Sequence, residues 1–191
     1  MPIKFTLKSA LLTALLCSGS PSYSEQLLVS PNVETLQLLL KRLRNEVPNF
    51  EALSRGASVV RTADEFSRDQ ALGLEMERLQ DLWDHLDEDV SLQFNLRTNV
   101  GEYDSAAGGF PVPLFFPGTS IRGSVPIEFS NAAAVRIFPV PAGNGQDTLA
   151  KFDISRSATI TVTLDTLGAS PLRSNTIEGR VSEVILTNRA G

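Results

Sequence analysis

Thiols, imidazoles and long apolar runs are nearly missing from this 191-residue chain. It holds one cysteine, one histidine, one tryptophan and two tyrosines. Cys17 falls in a leader-like stretch, so a chain processed beyond it has no disulfide, thiolate metal site or cysteine nucleophile. His85 is the only imidazole, so a Ser-His-Asp site must use it, and no G-x-S-x-G turn is present. There is no P-loop, no G-x-G-x-x-G and no D-x-D-x-D-G calcium loop, and no motif implies a cofactor. No apolar run approaches the ~20 residues of a membrane span, so no transmembrane segment is expected.

What is present begins with an export signal over residues 1–24. Lys4 and Lys8 supply a basic start, and Ala10–Leu16 forms a short apolar core. Ser22 and Ser24 are the small residues that a signal peptidase inspects, which places cleavage after Ser24 and the mature protein in the periplasm or secreted. The alternative is a lipoprotein anchored through Cys17, although Leu16 is larger than the residue usual before such a cysteine. Processing after Ser24 leaves 167 residues with a net charge of −7, which excludes nucleic acid and anionic membranes as default partners.

That charge is concentrated. Residues 62–90 hold ten acidic and two basic side chains, whereas residues 91–191 hold eight of each. The acidic stretch reads as a helix: Thr62–Glu65 has capping-box spacing, and Leu72, Met76, Leu79, Trp83 and Leu86 recur in steps of four and three. An earlier helix is predicted from about Ser30 to Val47, with Leu36, Leu40, Leu43 and Val47 as its seam and Pro31 in its first turn. Lys41, Arg42 and Arg44 are positioned to neutralise part of the acidic helix. Beyond residue 90 the period changes to two. Leu92, Phe94 and Leu96 alternate with polar residues, as do Ile160, Val162 and Leu164, while Val181, Val184 and Leu186 depart from alternation. Six of the eleven prolines lie between Pro111 and Pro141 and divide that region into short strands and turns. The expectation is an α+β protein of three parts: a signal peptide (1–24), a helical segment (25–90) and a β-rich domain (91–191). The N-terminal helical pair would pack on a small, mostly antiparallel sheet of five to seven strands, or on a partial barrel.

Four constellations could carry chemistry. Asp81 and His85 are four residues apart on one helical face, and with Asp84 and Glu88 they could hold a metal ion. Glu77, Asp81, Asp84 and Glu88 form an acidic ridge whose mutual repulsion calls for a counter-charge, from this chain, a divalent cation or a basic partner. Tyr103, Asp104, Phe110, Phe115 and Phe116, in and around a Pro-Phe segment, are the candidates for binding a ligand or partner. Glu102, Asp104 and Glu128 are the carboxylates a hydrolase could use.

The phrase Gly101-Glu102-Tyr103-Asp104, followed by Phe110-Pro111, Phe129-Ser130-Asn131-Ala132 and a closing Val184-Ile185-Leu186-Thr187-Asn188, resembles an uncharacterised family of exported bacterial proteins over roughly residues 90–190. Ser105 stands where that pattern has an aromatic. The resemblance implies export and no particular activity. Export, two adhesive surfaces and a thin catalytic inventory favour a non-enzymatic binding or assembly role in the bacterial envelope, with an envelope protein as partner. A carboxylate-based hydrolase and a cation-responsive module built on helix 62–90 are the alternatives.

Overall fold

A computed structural model describes residues 26–150 and 156–188, so the expected signal peptide, its cleavage site and Cys17 lie outside the described residues. The chain divides into two compact units, one of residues 32–88 and the other of the flanking segments.

The first unit is helical and contains α1 (Val33–Leu43), α2 (Phe50–Gly56), α3 (Ser58–Thr62) and α4 (Arg68–Asp84). The expected first helix is shorter at both ends. Its cap is Asn32, whose side chain accepts from the Thr35 backbone N–H at 2.8 Å and from the Thr35 hydroxyl at 3.0 Å. It stops where Asn45 takes a left-handed conformation (φ 55°) and the Glu46 N–H returns to the Lys41 carbonyl. Val47 is therefore past the helix and 81% exposed. The expected acidic helix is also shorter at both ends, and is α4 alone, from Arg68 to Asp84. Thr62 closes α3 with its hydroxyl on the Ser58 carbonyl, and Asp64 holds the turn that leads into α4, accepting from the N–H groups of Phe66 and Ser67. The Ser67 hydroxyl and these two N–H groups hold the Asp64 carboxyl below its usual range. In α4, Leu79 is buried, and so is Leu86 just beyond its end, while Leu72, Met76 and Trp83 are half-buried. Glu75 is buried as well: Arg78 pairs with it and reaches Glu34 of α1 with a fork at 2.7 and 2.8 Å.

The described residues of the second unit form eight strands: β1 (Gln26–Val29), β2 (Val90–Asn99), β3 (Gly109–Pro111), β4 (Ser120–Ile121), β5 (Ile127–Phe129), β6 (Ile137–Pro139), β7 (Ser157–Ala169) and β8 (Ile177–Asn188). Two short helices, α5 (Ala132–Val135) and α6 (Gly145–Leu149), lie between them. Six strands form a mixed sheet in the order β1-β2-β7-β8-β5-β4, and β3 pairs with β6 separately. The pairings are antiparallel except β1 with β2 and β5 with β8. The α+β class thus holds, as an open sheet with β1 and β4 at its edges. β1, which falls in the stretch read as helical, belongs to this sheet.

One face of the sheet is the core. Leu92, Leu164 and Val181 share a row, as do Phe94, Val162 and Val184, and then Leu96, Ile160 and Leu186. The irregular spacing in β8 has a physical cause: Thr163 pairs with Glu183 but Leu164 pairs with Val181, so Ser182 is an inserted bulge residue. The bulge puts both Val181 and Val184 on the core face. The opposite face is polar. Gln93 donates to the Thr163 hydroxyl, the Thr161 hydroxyl donates to Asn95, and Arg180 pairs with Asp165.

Candidate functional site

Within the helical unit, α4 packs on α2 and α3. An open groove of about 460 Å³ runs between α2 and α4, lined by Phe50, Met76, Glu77, Gln80, Asp81 and Asp84. The five α4 residues share one side of that helix because 76, 80 and 84 and likewise 77, 81 and 84 are spaced by three or four. The floor is apolar, from Phe50 and Met76, and the rim carries three carboxylates. Phe50 meets the Trp83 ring edge-on at 6.3 Å between centroids. The Arg42 guanidinium covers the Trp83 ring at 4.1 Å, and its Nη2 donates to the Trp83 carbonyl. Phe50 is thereby backed by a stack reaching from α2 through α4 to α1.

The cations of α1 are engaged away from the ridge that they were expected to neutralise. Lys41 and Arg44 approach Glu46 at 3.4 and 3.9 Å, and Arg42 lies on Trp83. On α4 itself, Arg78 faces Glu34 and Glu75. Among the described residues, no ion pair joins a Lys or Arg to Glu77, Asp81 or Asp84. Asp84 accepts from the Gln80 amide at 2.9 Å.

Of the four residues considered as metal ligands, Asp81 and His85 come together. The imidazole Nδ1 is 3.3 Å from the Asp81 carboxylate and 2.8 Å from the Asp81 carbonyl. The carbonyl bond, reinforced by the Asp81 and Asp84 charges, raises the His85 pKa above its usual value. His85 caps the C-terminus of α4, so Glu88 lies past the helix and the four-residue spacing from Asp84 no longer sets its direction. Among the described residues, no group of three or more His, Cys, Asp or Glu side chains is placed to hold a metal ion.

The candidates in the β unit have structural partners. Tyr103 donates its hydroxyl to the Val140 carbonyl at 3.0 Å and stands edge-on to Phe110 at 5.3 Å. Asp104 caps its own loop, accepting from the N–H groups of Ala106 and Ala107. Phe110 and Phe115 are fully buried, Phe115 against Phe129 at 5.3 Å. Phe116 alone of the five is an exposed apolar residue. Glu128 pairs with Arg173 at 2.8 Å and accepts from the Ser170 hydroxyl. Glu102 is exposed on the loop before Tyr103.

Phe50 and Met76 were not read as site residues from the sequence. Met76 belongs to the apolar seam by spacing, and Phe50 lies in a segment of only seven helical residues. The signal that pointed here was the ridge: Glu77 adjoins Met76 in sequence, so the edge of an apolar seam meets a row of carboxylates. No family model matches this chain, and no curated protein or solved structure matches it either.

Proposed function

We propose that this chain is an exported bacterial protein with a non-enzymatic binding or assembly role in the envelope. The observation that carries the proposal is the groove between α2 and α4, an open apolar floor with an acidic rim to which no Lys or Arg among the described residues is paired. One further fact supports it. Of the three carboxylates considered for hydrolysis, Asp104 is bonded within its own loop and Glu128 pairs with Arg173, so they do not converge with the exposed Glu102 on a catalytic pair. The resemblance over residues 90–190 to an exported bacterial family belongs to the same proposal.

Fractionation with intact-mass measurement tests the compartment, and cross-linking in the intact envelope tests the role. The expected result is a chain beginning at Glu25 in the soluble envelope fraction, cross-linked to an envelope protein. An acylated Cys17 would replace a soluble protein with an anchored one. A chain retaining residues 1–24 in the cytoplasm, or one that forms no cross-link, would overturn the proposal.

A further inference from the structure

We propose that the α2–α4 groove docks a basic, amphipathic segment of a partner protein. An apolar side chain of that segment sits between Phe50 and Met76, and its Lys or Arg side chains run along Glu77, Asp81 and Asp84. The inference rests on the binding role above and names its site and the chemistry of its occupant.

Shape and charge argue together. The groove is open along its length, at about 460 Å³, and so suits side chains laid across it more than an enclosed small molecule. Its Phe50 wall is preorganised by the contact with Trp83 and by Arg42 on the far side of that stack, so little ordering accompanies binding. Leu74 is 61% exposed and lies three and seven residues before Glu77 and Asp81. It therefore carries apolar surface one turn further along the same stripe, which suits an extended occupant better than a small molecule. The rim then fixes the sign of that occupant. Residues 62–90 carry a net charge of −8, and the two cations among them are turned elsewhere: Arg78 to Glu34 and Glu75, Arg68 to the Ala63 carbonyl. Carboxylates three and four residues apart on one helix repel each other, and a cationic segment lying along them relieves that repulsion. A single divalent ion fits less well, because the described residues offer it no group of three ligands.

The test uses the full chain and a 14-residue helix-forming peptide with leucine along one face and lysine elsewhere. Trp83, the only tryptophan, reports from behind Phe50. The lysine peptide is expected to change Trp83 emission saturably, and the same peptide with glutamate for lysine is not. Binding should weaken about tenfold in D81N/D84N, whose positions are exposed on the helix surface. It should also weaken on raising salt from about 50 to about 500 mM, and M76Q should weaken it at all salt concentrations. Equal binding of both peptides, or unchanged binding by D81N/D84N, would overturn the inference. So would a saturable calcium or zinc heat that D81N/D84N abolishes. An envelope partner cross-linked equally by the native chain and D81N/D84N would overturn the groove assignment and leave the binding role standing. Absence of any cross-linked partner would overturn the role itself.

Discussion

The Arg42 guanidinium lies 4.1 Å above the Trp83 ring and also donates to the Trp83 backbone carbonyl, so one side chain from α1 holds both the ring and the last turn of α4. A point-charge ammonium cannot reproduce that double contact. Arg42→Lys is expected to lower stability by about 1 kcal/mol and to shift Trp83 emission to the red. Urea unfolding followed by fluorescence measures both. Unchanged emission would mean that the stack does not order the ring in solution.

Gly108 and Gly109 are adjacent but constrained for different reasons. A Cβ on Gly109 would stand 2.2 Å from the Phe138 carbonyl oxygen across the β3–β6 pair, whereas Gly108 has open space and a φ of +71°. Gly109→Ala is expected to destabilise by at least about 2 kcal/mol, because backbone must move. Gly108→Asn is expected to destabilise by about 1 kcal/mol or less, since asparagine tolerates the left-handed region. Thermal melts of the two variants check the order.

Glu75 sets an acid limit on the helical unit. Its hydrogen bonds with Arg78, aided by the charge of that guanidinium, hold its carboxyl below the usual 4.5. A depressed folded-state pKa stabilises fully above the unfolded value and loses that contribution as pH falls through the folded one. Stability should therefore decline below about pH 4.5, and Glu75→Gln should flatten this part of the profile while lowering stability at pH 7 by about 1 kcal/mol. Denaturant midpoints from pH 7 to pH 3 give both quantities.

His85 should titrate in the opposite sense. The Asp81 carbonyl, then the Asp81 and Asp84 carboxylates, raise its pKa above 6.5. Any stabilisation from its charge is complete below pH 6.5 and disappears as pH rises through the raised value. Imidazole proton shifts followed by NMR should give a midpoint above 6.5. In Asp81→Asn that midpoint should fall but stay elevated, because the carbonyl bond remains. A midpoint unmoved by the substitution would remove the Asp81 charge from the explanation.

Periodicity made the long elements legible and left the short ones obscure. The α4 seam and the alternation in β2 and β7 follow from the repeat of apolar residues, which burial imposes directly. The break in β8 was visible as an irregular spacing, but only pairing with β7 identifies Ser182 as the inserted residue. The sequence pattern starts the first helix at about Ser30 and the acidic one at Thr62, but the side chains that accept free N–H groups are those of Asn32 and Asp64, a matter of three-dimensional approach. β3 and β4 span three and two residues, too few for a period to register. The ridge beside the groove was legible as charge spacing. Its floor was not, because Phe50 and Met76 come together only through the packing of α2 on α4.

The parallel pairing of β1 with β2 registers Gln26 with Val90, and the whole helical unit is the connection between them. Closing so long a flexible loop carries an entropy penalty on the order of 3–4 kcal/mol. Helices that form first remove much of that flexibility before the strands meet. β7 and β8 are consecutive along the chain, whereas β2 reaches β7 only across residues 100–156, a connection about as long as the helical one. As a four-residue edge strand paired on one side only, β1 is expected to have amides that exchange with solvent sooner than those of the strands inside the sheet.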